Sequence, residues 1–204
     1  MKDWRQWIVA RPALRSMIFK AELKCCRGII SDIKPWMGNH KIIDVGTGSG
    51  VLAHLLQESG LDVDALDIRD ATVTDKIHPV IYDGKVMPFQ KNEFDTALII
   101  YVLHHTMDAD QIIAGAAHIA RQVIILEDVI TDKLNSAVTK ILDSLVNFEF
   151  FGHPHSNRTH EGWLKSFNKM GIDLLQSQDI ESSLWLTKPI NHKVYILNTE
   201  NYGD

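Results

Sequence analysis

The segment KIIDVGTGSGVL, residues 41–52, constrains the fold most, because it places three glycines between two apolar runs of different kinds. The first run, KIIDV, has the β-branched residues of a buried strand, and the residues from position 50 onward have helical spacing. A glycine turn between a strand and a helix lets a ligand approach the backbone and presents the unpaired amides of the helix N-terminus. The segment therefore predicts a ligand-binding turn.

The pattern that follows this turn predicts a parallel sheet covered by helices on both faces. The predicted strands are 41–45, 62–68, 78–82, 95–103 and 122–129, and the predicted helices are 50–59, 108–120 and 133–149. Two further β-type runs, 172–178 and 192–197, follow a helix that Gly171 ends. We therefore predict an α/β fold, doubly wound, with a mostly parallel seven-stranded sheet and an antiparallel C-terminal hairpin.

No linker, repeat or low-complexity tract interrupts the 204 residues, so we predict a single domain, 1–204. Residues 1–38 have helical spacing as far as Pro35 and are expected to form a helical cap. The remaining core, 39–204, contains a polar, histidine-bearing loop, 151–162, which we expect to act as a lid.

Composition excludes several classes of partner. The net charge of −5 provides no basic field for a nucleic-acid backbone. No apolar run reaches the roughly 18 to 20 residues of a membrane span. The only cysteines, Cys25 and Cys26, are adjacent and poorly placed to bond each other, which favours a reducing compartment. These features predict a cytoplasmic protein that binds neither nucleic acid nor membrane.

The spacing of the motif narrows the class of ligand. Gly46, Gly48 and Gly50 follow G-x-G-x-G, whereas the dinucleotide fingerprint is G-x-G-x-x-G, and no phosphate-loop Gly-Lys-Ser or Gly-Lys-Thr follows. Asp67 comes about twenty residues after the first glycine, near the end of the second predicted strand, where a carboxylate can bind ribose hydroxyls. The sequence thus favours a nucleoside ligand and leaves a nicotinamide oxidoreductase as a weaker alternative.

These residues lead to a family resemblance. The stretches IIDVGTGSG, ALDI and YDGKVMPFQKNEFDTALIIYVLHH resemble the class I S-adenosylmethionine-dependent methyltransferases, in particular the small-molecule branch often called methyltransferase type 11. The resemblance implies a Rossmann-like methyltransferase fold, S-adenosylmethionine (SAM) as cofactor, S-adenosylhomocysteine (SAH) as product and a small-molecule acceptor.

The resemblance also implies which residues bind the cofactor. Asp44 and the glycine turn would surround its amino-acid end, Asp67 its ribose, and Asp83 with Gly84 its adenine. Tyr101 and Leu103 would flank it. The expected cofactor-binding residues are Asp44, Gly46, Thr47, Gly48, Gly50, Asp67, Ile68, Asp83, Gly84 and Tyr101.

One departure from related families bears on the substrate. Methyltransferases that act on amino groups of adenine, cytosine or glutamine commonly carry Asn or Asp, then Pro-Pro and an aromatic residue, after the fourth strand. This sequence has YVLHHT there, which disfavours nucleic-acid and protein-glutamine substrates. The absence of a clear acceptor motif also leaves open a protein that binds the cofactor for other chemistry or serves as a non-catalytic subunit.

Transfer to oxygen or nitrogen requires a general base. We predict His104, Glu127 and His155 as catalytic residues, and we predict that His105, Asp128, His153 and Arg158 bind the substrate. A metal site is the alternative for these residues, but H-x-H in the loop lacks an established spacing, and an ion pair from Arg158 to Glu127 or Asp128 explains the same residues. We predict no metal, and the acceptor atom and oligomeric state stay open.

Overall fold

The computed structural model describes residues 11–38, 41–129, 158–180 and 191–203, and its centre is a seven-stranded sheet. The strands are β1 (Ile42–Val45), β2 (Val63–Asp67), β3 (Val80–Ile81), β4 (Phe94–Ile100), β5 (Ala120–Val129), β6 (Asp173–Ile180) and β7 (Asn191–Asn198). Their order is β3-β2-β1-β4-β5-β7-β6. Strands β1 to β5 pair in parallel, while β7 is antiparallel to both β5 and β6. The predicted fold class, including the C-terminal hairpin, is confirmed.

Helices cover both faces of this sheet. Helices α1 (Pro12–Ile33) and α2 (Val51–Glu58) pack on one face, against alternate β-strand residues such as Ile42, Leu98 and Ile124. Helices α3 (Ala109–Ile119) and α4 (His160–Met170) pack on the other, against residues such as Ile43, Ile99 and Ile125. Because side chains alternate along a strand, neighbouring positions belong to different cores.

Three strand boundaries differ from the predictions for local reasons. Strand β4 ends at Ile100 instead of 103, because Tyr101 takes a positive φ of 55° and Leu103–His105 form a short 3₁₀ turn. Strand β5 begins at Ala120, directly after helix α3, instead of at 122. The predicted strand 78–82 shortens to the two residues of β3 at the edge of the sheet. The predicted helix 133–149 lies outside the described residues.

The glycine turn between β1 and α2 is shaped by contact with the end of β4. Gly46 has a φ of 76°, and a Cβ on it would lie 2.6 Å from Cγ2 of Val102, closer than any ordinary contact. Only glycine therefore fits here without moving β4 or the turn. Since β1 and β4 are neighbours whose chains continue in opposite directions across the sheet, the turn lies at the topological switch point, where open α/β sheets bind ligands.

No helix within the described ranges is both long and apolar enough to cross a membrane.

Replacing Gly46 by alanine tests the close approach to Val102. Gly60 is the matched control, because its φ of 86° is equally strained but a Cβ there would meet nothing within 4 Å. Both variants force an alanine into a positive φ, but only Gly46→Ala also makes the new Cβ overlap Val102. We therefore expect Gly46→Ala to lower the free energy of unfolding by about 1–3 kcal/mol more than Gly60→Ala. Urea denaturation measures the difference, and equal losses would contradict the packing described here.

Candidate active site

Asp67, the last residue of β2, lies against the glycine turn. Its Oδ2 accepts a hydrogen bond from the Gly48 backbone N–H at 2.9 Å, and its Oδ1 accepts from the Arg69 N–H at 3.3 Å. The backbone thus fixes a half-buried carboxylate at the carboxyl edge of the sheet. A carboxylate has lone pairs for more than two donors, so it retains acceptor capacity for the vicinal hydroxyls of a ribose.

Asp44 lies deeper, beneath the same turn. It is only 3% exposed, and its Oδ2 accepts a hydrogen bond from Oγ1 of Thr47 at 2.7 Å. The pKa of Asp44 is raised to about 6, chiefly by burial and to a smaller extent by the nearby charge of Asp67, while the hydrogen bond from the Thr47 hydroxyl lowers it. No lysine or arginine of the described segments forms an ion pair with Asp44, so its ionised form is stabilised poorly until a cation binds.

The predicted adenine end has an apolar side chain beside a fixed carboxylate. Ile68 follows β2 and is 58% exposed, and a Cβ on Gly84 would lie 3.3 Å from its Cγ2. Asp83 accepts hydrogen bonds from the backbone N–H groups of Lys85, at 2.9 Å, and Val86, at 3.1 Å, which lower its pKa. An exposed apolar surface next to an ionised carboxylate suits a flat base with an exocyclic amine.

On the other side of the switch point, three polar side chains meet on the face of the sheet that α1 and α2 cover. The Nδ1 of His192 lies 2.7 Å from Oδ1 of Asp128 and 3.1 Å from the hydroxyl of Tyr101. Asp128 and His192 face each other in the register of β5 and β7, and both are buried. Because β7 is antiparallel, its first residues lie at the carboxyl edge of the parallel strands, so the structure brings the predicted residues Tyr101 and Asp128 together with a histidine that the sequence analysis missed.

The position of His192 at the start of the last predicted strand could have indicated that it lies near the site. In an antiparallel hairpin at the sheet edge, the start of the last strand lies at the same edge as the ends of the parallel strands. A histidine at that start could therefore have been added to the site, although its partner could not have been chosen without the register.

His104 and Glu127 form a separate pair on the opposite face of the sheet. The Nδ1 of His104 lies 2.7 Å from Oε2 of Glu127, and Oε1 of Glu127 accepts from the Leu103 N–H at 2.6 Å. Glu127 is 0% exposed and His104 is 3% exposed, and His105 packs against the His104 ring. Glu127 and its neighbour Asp128 thus point to opposite faces of β5, so they do not belong to one cluster.

The predicted ion pair of Arg158 with Glu127 or Asp128 is wrong. The Arg158 backbone does lie beside Val129 at the end of β5, but its Nη1 contacts Oδ1 of Asp110 at 2.5 Å. The same guanidinium donates to Ser166 and covers the ring of Trp163. The cause is the direction of the side chain, which points towards α3 and α4.

The other predicted loop residues, His153 and His155, lie outside the described residues. In the part of the chain that the structure describes, no group of three or more His, Cys, Asp or Glu side chains is arranged to hold a metal ion.

A change in pH tests the burial of Asp44. Because burial places its folded-state pKa, about 6, above the ordinary value of 3.8, the folded protein binds this proton more tightly than the unfolded chain. Asp44 therefore contributes stability at low pH that is lost as the pH rises from about 4 through about 6. We expect Asp44→Asn to abolish this loss, so that at pH 7.5 the variant without ligand is more stable than the wild type by about 3 kcal/mol.

Chemical denaturation of both proteins from pH 4 to pH 7.5 measures the difference. Parallel pH profiles for wild type and variant would contradict a raised pKa for Asp44.

Comparison with known proteins finds one family model that matches part of the chain. The model of a family described as a methyltransferase domain matches residues 43–123, which run from β1 into β5 and include the glycine turn, Asp67 and Tyr101. No curated protein sequence matches the chain.

Solved structures match over most of the chain. A methyltransferase from Haloferax volcanii, solved with its activator Trm112, is 12% identical with a TM-score of 0.69, covering 91% of this chain and 94% of that one. Magnesium protoporphyrin IX methyltransferase from Synechocystis, solved with bound SAH, is 17% identical with a TM-score of 0.62, covering 87% and 83%. The cyclase SpnF is 11% identical with a TM-score of 0.61, covering 84% and 78%.

At these identities the solved structures show the fold alone, and the family match covers the part of the chain from β1 into β5. Residues 43–123 match a methyltransferase domain, and the chain as a whole has the fold of these solved structures.

Proposed function

We propose that the protein transfers the methyl group of SAM to a small-molecule acceptor. The observation that carries this proposal is the contact between Asp67 and the Gly48 amide, because it holds a ribose-binding carboxylate against a glycine turn at the topological switch point.

The residues present fit this cofactor. Bound SAM supplies an electrophilic methyl group on a positively charged sulfur. In our proposal Asp67 accepts hydrogen bonds from the ribose hydroxyls, and Asp83, Gly84 and Ile68 bind the adenine. The amino-acid end lies along the turn, above Asp44, where backbone amides suit a carboxylate and the buried acid suits an ammonium group. The remaining predicted contacts are Gly46, Thr47, Gly50 and Tyr101.

An acceptor oxygen or nitrogen must lose a proton, and we assign this proton to the pair of His192 and Asp128. A carboxylate 2.7 Å from Nδ1 favours the tautomer in which Nδ1–H donates to Asp128. The other ring nitrogen, Nε2, then keeps a lone pair and can accept a proton, as in other catalytic carboxylate–histidine pairs. The Tyr101 hydroxyl beside the ring supplies a second polar group at the end of β4.

His104 and Glu127, the predicted bases, receive a different role in this proposal. Their burial and mutual hydrogen bond anchor the 3₁₀ turn that follows Tyr101, so they position the end of β4 and do not exchange protons with the acceptor. His155 stays a prediction, together with substrate contacts from His105, His153 and Arg158.

Several features support a small acceptor in a biosynthetic reaction in the cytoplasm. The net charge is −5, and the Pro-Pro-aromatic signature of amino-group methyltransferases is missing after β4. Cys25 and Cys26 are both free thiols, and burial raises the pKa of each, which is consistent with a reducing compartment.

Isothermal titration calorimetry with SAH tests the cofactor assignment. We expect the wild type to bind SAH and Asp67→Ala to bind it at least about tenfold more weakly, because two charge-assisted hydrogen bonds to the ribose are lost. Asp64→Ala is the matched control, since Asp64 lies on the same strand but pairs with Lys41 near the opposite edge. A wild type that fails to bind SAH would remove the proposal.

A methyl-labelled cofactor separates methyl transfer from other chemistry on the same fold. The likeness to a cyclase shows that this fold also occurs in a protein with a different activity. Incubation with labelled SAM and a metabolite extract places label in a product if the protein is a transferase. Binding of SAH without any labelled product would favour the non-methylating alternative.

The same labelled product tests the proposed base. We expect His192→Gln to lower the rate of product formation about 10²- to 10⁴-fold, since a general base contributes that much, while the affinity for SAH stays unchanged. His118→Gln, on the exposed last turn of α3, serves as the control. Full activity in His192→Gln would exclude this histidine as the base.

A further inference from the structure

Helix α1 lies directly on the glycine turn. The carboxylate of Glu22 accepts a hydrogen bond from the hydroxyl of Ser49, the residue between Gly48 and Gly50. One helical turn further along, Cys26 is buried, and its pKa is raised chiefly by that burial and further by the nearby charges, which include those of Glu22 and Asp44. The face of α1 that carries Glu22 and Cys26 therefore points at the turn and at Asp44.

Three carboxylates consequently surround one backbone turn. Asp67 holds the Gly48 amide, Asp44 lies beneath Thr47, and Glu22 bonds Ser49 from above. Within the described segments, no lysine or arginine forms an ion pair with any of the three; the nearby Arg15 of α1 pairs with Asp75 instead. Burial raises the pKa of Glu22 as well as that of Asp44.

Such a concentration of acidic groups is unfavourable in the absence of a ligand. Partly buried carboxylates repel one another and lose hydration, and a hydrogen bond from a neutral hydroxyl offsets only part of this cost. A bound cation would offset the rest. SAM carries two positive groups, the sulfonium and the methionyl ammonium, whereas SAH keeps only the ammonium.

We propose that Glu22 extends the cofactor site onto helix α1 and binds the methionyl ammonium group. The inference rests on the proposed function. Because Asp67 takes the ribose end at Gly48, the amino-acid end extends along the turn, on the side where Glu22 and Asp44 lie. The helix then contacts the cofactor through the Glu22 carboxylate, and the Ser49 hydroxyl holds this carboxylate in place before the cofactor binds.

The alternative is that Glu22 only ties α1 to the turn through Ser49. Two variants separate these roles. Glu22→Gln removes the charge but keeps a side-chain oxygen that can accept the Ser49 hydroxyl. Ser49→Ala removes the tie but keeps the charge. Asp32→Asn is the control, because it neutralises another partly buried carboxylate on the same helix, far from the turn along the chain.

The experiment is calorimetric titration of each protein with SAH and with 5′-methylthioadenosine, which shares the nucleoside and sulfur but lacks the amino-acid end. We expect Glu22→Gln to weaken SAH binding about five- to fiftyfold and to leave methylthioadenosine binding within about twofold of the wild type. Ser49→Ala should lose less SAH affinity than Glu22→Gln, and Asp32→Asn should change neither ligand.

Three results would overturn the inference. Unchanged SAH binding by Glu22→Gln would show that the charge has no role, and equal losses for both ligands would show that Glu22 acts only through the shape of the turn. If Ser49→Ala lost as much SAH affinity as Glu22→Gln, Glu22 would act only by holding α1 to the turn through Ser49. Failure of the proposed function is distinct, because it appears as a wild type that does not bind SAH before any variant is made.

Discussion

The contact between Val102 and the bare Cα of Gly46 is the constraint on which the rest of the site depends. It lets the turn after β1 approach the end of β4 at the point where the connections of the sheet diverge. A side chain at Gly46 would push the turn away from the end of β4, and it would therefore also separate the functional side chains on the turn from those on β4. The turn brings Asp44 and the amide that holds Asp67, while β4 brings Tyr101 and, through it, His192.

The backbone takes a positive φ on both sides of the crevice, but only one of the two residues is strained by it. Gly46 has a φ of 76°, which costs glycine little, but Tyr101 has a φ of 55°, which is costly for a tyrosine. The hydrogen bond from the Tyr101 N–H to the Leu126 carbonyl and the bonds of Glu127 to the following turn hold this conformation. The buried pair of His104 and Glu127 thus supports the site from the opposite face of the sheet. On the turn side, Asp44 and Glu22 form no ion pair with a lysine or arginine of the described segments, so a cationic ligand there would restore stability that their burial costs.

The sequence predicted the parts of the fold that depend on local patterns. The glycine turn, Asp67 after the second strand and the alternation of strands and helices follow from spacing alone, and the structure has them in that order. Side-chain contacts that depend on the register of the strands could not be predicted from the sequence. His192 is 64 residues from Asp128, and only the antiparallel pairing of β5 and β7 places them opposite each other. Likewise, the ion pair between Arg158 and Asp110 depends on how α4 is placed relative to α3. The hydrogen bond between Ser49 and Glu22 depends on how α1 crosses the sheet.

A crystal structure of the protein soaked with SAH would show directly whether the glycine turn and the neighbouring carboxylate together hold the nucleoside. We expect density in the crevice between β1 and β4, with both ribose hydroxyls on the Asp67 carboxylate and the amino-acid end along residues 46–50. An empty crevice, or an Asp67 carboxylate turned away from the bound nucleoside, would contradict this expectation.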